Sequence, residues 1–352
     1  METPQITVLL SVHNGERWVE KAITSILEQT FSQFEFLIID DASTDATPHL
    51  LERLRDPRVR LVRNEENLGL TVNLNRGLAM AHAEYIARQD ADDWSRPDRL
   101  ATQLSFLQRN PAVAAVGSQA YVVDGQERSL GRKDFPLTHA GICWMHLFDN
   151  ALAHSAVTFR KSAVQAIGGY DESYRASQDY ELWSRLSKRH RLANLPQRLV
   201  TLRVLETSIT RKHPNPYLIR RVQSAHFSRI LPGRQLSSAE LDLIGSYRTR
   251  LEPQMIGAFD QHFVEWRLAY EAAFPETRTS SDFRRTVALQ HERIGYNLLE
   301  NDRSNAFRKL CLAVRVWPPM ALQLPWMRIL ALALLGDSAR KVYAKVMGRS
   351  SS

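Results

Sequence analysis

The sequence predicts an α/β fold: a mostly parallel twisted sheet with helices on both faces, plus an α-helical C-terminal extension. Three observations lead there. Strand-length apolar runs alternate with helix-period segments through roughly the first hundred residues. Each apolar run stops at a polar or acidic cluster. Beyond Pro214 the strand-like runs give way to helical spacing.

Ile6–Val12 is β-rich and ends at the turn His13-Asn14-Gly15. Trp18, Ala22, Ile26 and Leu27 then share one helical face. Phe34–Ile39 is the second apolar run and stops at Asp40-Asp41-Ala42-Ser43-Thr44-Asp45. Thr44 or Asp45 is placed to cap the next helix, which carries Leu50, Leu51 and Leu54. Val59–Val62 is a third strand, ending at Asn64–Asn67 and Gly69. A helix over about Thr71–Ala81 leads to a fourth strand at Ala83–Ala87. Right-handed crossovers would bring these strand ends to one edge of the sheet, where ligands of such sheets bind. His13-Asn14, Asp40-Asp41, Asn67 and Asp90-Ala91-Asp92 all fall there.

The stretch Tyr85–Trp94 organises the rest. It holds Asp90, Asp92 and Asp93 directly after a strand. Carboxylates this close repel each other unless a cation joins them. Mg2+ and similar hard ions bind through one or two carboxylates plus substrate phosphates. A solvated acidic loop is the plain alternative, and the recurrence of polar clusters after successive strands weighs against it. No G-x-G-x-x-G follows the first strand and no P-loop occurs, so a diphosphate must be met by other means.

Composition is that of a globular protein, with 44% hydrophobic and 24% charged residues. The two cysteines, Cys143 and Cys311, have no metal-ligand spacing and suit a reducing cytoplasm. The first apolar run lacks the basic flank of a secretory signal. The net charge of +8 is uneven: residues 201–352 carry 23 Lys+Arg against 13 Asp+Glu, and the remainder 23 against 25. A basic C-terminal part suits anionic lipid or an acidic polymer. The signatures of nucleic-acid binding are missing, and no nucleic-acid partner is expected.

Taken together, these residues resemble glycosyltransferase family 2, with its GT-A nucleotide-sugar-binding fold. The resemblance starts at Thr7–Glu16 and continues through Ser25–Thr30, Ile38–Asp45, Asn67–Leu70 and Asn75-Arg76-Gly77. The acidic triplet with Arg96-Pro97-Asp98-Arg99-Leu100 follows, then Gly168-Gly169-Tyr170-Asp171 and Ser177–Trp183. It covers roughly residues 5–210. It implies a nucleotide-sugar donor, UDP-linked by family habit, and an inverting single displacement with Mn2+ or Mg2+. It implies that Asp41, with Asp40 and the segment Val12, His13, Asn14 and Glu16, holds the nucleoside, with Asn67, Asn75 and Ala91 nearby. Asp90 would face the ribose or metal, Asp92 would ligate the metal, and Asp179 would be the catalytic base. Leu205 stands where the family often has a metal-binding His, and Leu74 where it often has an Arg. His154 and Trp183 are candidates for the donor or acceptor pocket, and core packing is the default for a tryptophan.

Asp179 also suits the first turn of an amphipathic helix carrying Tyr180, Leu182, Trp183 and Leu186, a structural role. Beyond the break at Arg211–Pro216, candidate helices are about Tyr217–Leu231, Ser238–Leu251, Pro253–Phe274, Phe283–Asn301, Asn305–Trp317 and Met320–Leu335. The last is too short and interrupted to span a bilayer, but with Arg340, Lys341, Lys345 and Arg349 it suits an anionic membrane surface. The expectation is a catalytic domain over 1–212 and a helical domain over 213–352 that contacts acceptor, membrane or another copy. The expected protein is a cytoplasmic glycosyltransferase at the inner face of the plasma membrane, acting on a glycan or lipid-linked acceptor. The rivals are a nucleotidyltransferase, for which His13–Trp18 is a poor phosphate loop, and a non-catalytic sugar-nucleotide or glycan-binding module.

Overall fold

The structure, a computed structural model, describes residues 3–205, 216–248, 252–299 and 302–322. The chain divides into two compact units, residues 1–146 with 150–226, and residues 147–149 with 227–352.

The first unit carries a nine-stranded sheet. Its strands are β1 (Ile6–Val12), β2 (Phe34–Asp40), β3 (Val59–Arg63), β4 (Tyr85–Arg88), β5 (Trp94–Ser95), β6 (Val113–Val123), β7 (Ser129–Lys133), β8 (Thr158–Arg160) and β9 (Arg191–Arg203). The order is β3-β2-β1-β4-β8-β6-β9-β5, with β7 beside β6. The first four strands are mutually parallel, as the alternating pattern requires. Past β4 the sheet is mixed: β8 runs antiparallel to β4 and β6, while β6 and β9 run parallel.

Helices α1 (Val19–Leu27), α2 (Thr47–Glu52), α3 (Leu70–Met80), α4 (Arg99–Arg109), α5 (His139–Met145), α6 (Lys161–Gln165) and α7 (Gln178–Leu186) complete this unit, with α8 (Pro216–Ile230) starting within it. Alternation along the strands assigns the two faces. Ile6, Val8, Leu10 and Val12 of β1 pack with Phe36 and Ile38 of β2 against α1, α2 and α4. Leu9, Leu37 and Ile39 point the other way, against α3, α6 and α7. Each such fully buried side chain contributes roughly 1.5–3 kcal/mol. Leu74 is fully buried in α3, so the position where the family often has an arginine serves the core. The cap residue of α2 is Ala46, with no side-chain cap bond, rather than Thr44 or Asp45; Asp45, one residue earlier, accepts from the Thr47 amide at 2.9 Å.

The second unit is helical. It holds α9 (Ser238–Arg248), α10 (Ile256–Ala273), α11 (Ser281–Leu298) and α12 (Arg303–Val316). The expected helices are present with ends shifted by a few residues, and Pro318–Leu322 forms a 3-10 turn. The rest of the expected helix Met320–Leu335, the basic residues after it and Glu206 lie outside the described residues. No helix among the described residues is long and apolar enough to cross a membrane. A Cβ on Gly295 would lie 3.1 Å from the Ala306 carbonyl, so glycine lets α11 and α12 approach closely.

Gly77 of α3 faces Leu9 so closely that a Cβ would overlap its methyl groups. Gly77→Val should therefore destabilise the chain by about 1–3 kcal/mol, read as a lowered urea midpoint at unchanged m-value.

Candidate active site

The carboxyl edge of the parallel strands is built from loops that tie to one another. Asn14, at φ 53°, accepts at Oδ1 from the Thr44 amide at 2.8 Å, and its own amide donates to Ser43 Oγ at 2.9 Å. Glu16 Oε2 accepts from the Ala46 amide at 2.8 Å, and the Glu16 amide donates to Asp45 Oδ2 at 3.0 Å. His13 is exposed, and its Nδ1–H donates to the Asp41 carbonyl at 2.8 Å. Asn14 Nδ2 reaches His13 Nε2 at 3.2 Å. Both ring nitrogens are thus engaged while the ring remains at the surface, a posture suited to stacking. Asn67 is likewise exposed on the third loop.

Asp41 is bonded within the chain. It is 2% exposed. Oδ1 accepts from the Asn64 side chain at 2.7 Å and the Leu68 amide at 2.9 Å, and Oδ2 from the Gly69 amide at 2.9 Å. Burial pushes its pKa up, but these bonds and one from Asn73 outweigh it and hold the carboxyl below its usual range. Asp41 shapes the loop that follows β3. Asp40, 1% exposed, accepts from the Ser43 amide at 3.1 Å and lies 3.4 Å from Arg63 Nε. Asn75 is spent on the chain as well: Oδ1 accepts from the Tyr170 amide, and Nδ2 donates to the Tyr170 carbonyl and Glu172, each at 2.9 Å. Asn75 therefore clamps the Gly168–Asp171 turn.

The acidic loop is set from below by buried cations. Arg88, the last residue of β4, is fully buried. It donates to Asp90 Oδ1, to the Leu9 carbonyl, and to His154 Nε2 at 3.1 Å. Arg99, also fully buried, donates to the Arg88 carbonyl at 2.8 Å and to Gln89 Oε1 at 3.1 Å. Burial, then the Arg88 charge, lowers the Arg99 pKa to about 9. Ser155 Oγ accepts from the Asp90 amide at 3.0 Å. Arg203, at the end of β9, donates through Nε to the Asp92 carbonyl at 3.1 Å and stacks over Trp18 at 3.9 Å.

The three carboxylates take separate roles. Asp93, 6% exposed, accepts from the Arg203 amide at 2.7 Å and closes the loop onto β9. Burial and the neighbouring Asp92 and Asp90 push its pKa well up. Asp90 remains 30% exposed and is pinned by Arg88. Asp92 is partly buried, and burial and then the Asp90 charge raise its pKa to about 6. Ala91 lies between them, and a Cβ on Gly15 of the first loop would meet its methyl group at 3.8 Å.

Asp179 lies in the first turn of α7, after Ser177 in the left-handed region at φ 61°. It is partly buried, and its Oδ2 accepts from Asn150 Nδ2 at 2.7 Å. Burial raises its pKa to about 6, and the charge of Asp90 adds to the rise. Tyr170 sits among Arg88, Asp179 and Asp90, all of which act on its phenol. The two ends of the chain's acidic pattern, Asp90 and Asp179, therefore share one electrostatic environment.

His154 and Trp183 are behind this cluster. His154 is 9% exposed, with Nε2 between Arg88 Nε and the Tyr170 hydroxyl at 3.0 Å. Burial and the Arg88 charge hold its pKa well below the ordinary value, so a neutral ring accepts at Nε2. Trp183 is fully buried against His154 and Phe159 and offers no face to a sugar. Sequence reasoning passed over Arg88, Asn150, Ser155, Tyr170 and Arg203. A cation closing an apolar strand just before three carboxylates was the available signal for Arg88; nothing local marks Asn150.

The donor set suits a divalent ion only as part of a shell. Among the described residues no three His, Cys, Asp or Glu side chains converge as metal ligands. Leu205 supplies none. Asp90 and Asp92 form a two-carboxylate platform whose mutual repulsion a cation would relieve, leaving other positions for phosphate oxygens and water.

Arg88→Met should cost at least ~2 kcal/mol in urea unfolding, because Asp90 and His154 lose charge-assisted bonds. Asp90→Asn on that background should recover part of the loss. For Asp179, the raised folded pKa means that its charge costs nothing below about pH 4, the unfolded value, and the full amount above about 6. Metal-free Asp179→Asn should thus melt above the wild type at pH 7.5, by about 1–2 kcal/mol, with the gap closing by pH 4.

Residues 7–167 match the sequence model of the family described as glycosyl transferase family 2. An uncharacterized glycosyltransferase of Haemophilus influenzae is 30% identical over 212 residues, covering 57% of this chain and 66% of that protein. The chain thus spans just under two thirds of that relative's length. The amylovoran biosynthesis glycosyltransferase AmsE of Erwinia amylovora is 29% identical over 261 residues, covering 72% of this chain and 96% of AmsE. A crystal structure of S. aureus TarS 1–349 in complex with UDP-GlcNAc superposes with TM-score 0.55 at 13% identity, covering 94% of this chain and 92% of that one, and so shares the fold. The acidic edge, the α/β sheet and these matches agree, and residues 7–167 carry the glycosyl transferase family 2 domain.

Proposed function

We propose that the chain transfers a sugar from a nucleotide-sugar, UDP-linked, to a hydroxyl of a glycan or lipid-linked acceptor, with inversion at the anomeric carbon. The observation that carries this is Asp179: a carboxylate with its pKa raised to about 6, sharing the electrostatic environment of Asp90. A general base is most effective with a pKa near the working pH. Asn150 donates to its Oδ2 at 2.7 Å and the Tyr180 amide to its Oδ1 at 2.8 Å, which orient the carboxylate while each oxygen keeps a second lone pair for a proton.

In this reading the acceptor hydroxyl loses its proton to Asp179 as its oxygen bonds to the anomeric carbon. The bond from that carbon to the diphosphate breaks on the opposite side, which inverts the centre. Such a base contributes typically ~10²–10⁴-fold. Asp92 and Asp90 would hold a divalent cation, Mn2+ or Mg2+, which when bound stabilises charge on the departing diphosphate. Arg88 and Ser155 hold Asp90 in place, and Arg203 holds the Asp92 backbone. The exposed His13 ring supplies a face for the nucleobase. Asp41 acts on this pocket by shaping the Asn64–Gly69 loop. The acceptor class follows AmsE, whose name ties it to the biosynthesis of amylovoran. In this reading the enzyme works in the cytoplasm at the membrane's inner face.

Two measurements test the reading. A thermal-shift screen of nucleoside diphosphates should show one that raises the melting temperature only with Mn2+ or Mg2+. Asp179→Asn should keep that shift while transfer falls ~10²–10⁴-fold. Transfer at the wild-type rate would sink the proposal. For the wild type, the rate should fall as pH drops through about 6, because the base becomes protonated.

A further inference from the structure

The helical unit holds a second concave site that the chemistry above does not use. It is a cleft of about 690 Å³. Three helices and one turn line it. Asp260, Phe263, Arg267 and Glu271 come from one face of α10, at helical spacing. Arg278 comes from the 3-10 turn Pro275–Arg278, and Arg284 and His291 from α11. Arg308, Leu312 and Arg315 come from one face of α12.

The lining has five arginines against two carboxylates. Asp260 pairs with Arg308 at 2.6 Å, and Glu271 with Arg267 at 3.3 Å. Arg278, Arg284 and Arg315 are exposed and have no acidic partner among the described residues. Three unpaired guanidinium groups directed at one concavity repel one another and gain by meeting oxyanions, which they can grip bidentately. His291 adds an independent sign. It is 8% exposed, lines the same cleft, and its Nδ1 finds no hydrogen-bond partner. A buried polar atom without a partner carries a desolvation cost that a ligand or its bound water can relieve.

We propose that this cleft binds a negatively charged oligosaccharide segment, its sugar-borne carboxylates or phosphates held by Arg278, Arg284 and Arg315. The inference rests on the glycan-acceptor reading and narrows it to an acidic glycan. The volume lies within the range of small-molecule and short-oligomer sites. The partly buried Leu312 and Val316 and the exposed Val264 give apolar patches for sugar ring faces between the charges. A bilayer surface is flat and does not enter a concavity of this size. A single-stranded nucleic acid would want exposed aromatic faces, and the rings lining the cleft, Phe263 and His291, are both buried.

The test is a calorimetric titration of the full chain with tetragalacturonate, a phosphorylated mannopentaose, neutral maltotetraose, inorganic pyrophosphate and phosphatidylglycerol vesicles. Arg278→Gln/Arg284→Gln/Arg315→Gln is the comparison; all three side chains are exposed, so the fold should persist. At least one charged oligomer should bind the wild type, and at least tenfold more weakly the triple variant, while maltotetraose gives no heat. Which charged oligomer binds identifies the oxyanion. Equal binding to the variant, equal binding of maltotetraose, or no binding of either charged oligomer would overturn the proposal. So would binding confined to inorganic pyrophosphate or to phosphatidylglycerol vesicles. The nucleotide-dependent thermal shift is read on the same samples. Its failure would count against the transfer site alone, since the titration scores the cleft separately.

Discussion

The buried guanidinium of Arg88 is the interaction on which the catalytic unit depends. A cation at that depth is costly unless every donor is used and an opposite charge is close. The fold meets both demands. Arg88 joins the backbone of β1 through the Leu9 carbonyl, the acidic loop through Asp90, and the segment before β8 through His154. Three chain segments distant in sequence are brought together by one side chain. Asp90 keeps its orientation because the guanidinium it bonds is itself held in place by the Leu9 carbonyl and His154.

Around this pin the site balances like charges. Three carboxylates follow one another within four residues, and Arg88, Arg99 and Arg203 surround their backbone. The compensation is incomplete at Asp92, whose pKa stays high, and at Asp179, where burial outweighs the bonds from the Tyr180 amide, Asn150 and its own amide. Strain of this kind is tolerable where a ligand removes it. A cation would do so at Asp92, and an acceptor proton at Asp179.

The loops after β1, β2 and β3 show the opposite economy. Asp41 and Asn75 have their polar atoms satisfied by the chain itself. Asn14 and Glu16 join the first loop to the second through backbone amides. Such a rim is organised before any ligand arrives, which lowers the ordering cost of binding.

Local pattern alone determined the first half of the catalytic unit. Alternation of strand and helix periods, with a polar cluster closing each strand, dictated the parallel β3-β2-β1-β4 half-sheet and its polar edge, because periodicity and crossover handedness are short-range properties. The position of the acidic triplet and of Asp179, each at an element's end, was legible for the same reason. The directions of β6, β8 and β9 were decided by tertiary packing, since a short apolar run carries no mark of its neighbour's direction. Partnership was decided there too. Asp41 and Asn75 look like ligand residues in sequence, and only the fold brings Leu68 and Tyr170 to their side chains. Asn150 reaches Asp179 across 29 positions, and Arg88 reaches His154 across 66. Hydrogen bonds over such separations depend on where the whole chain places its atoms, and no stretch of residues encodes them by itself.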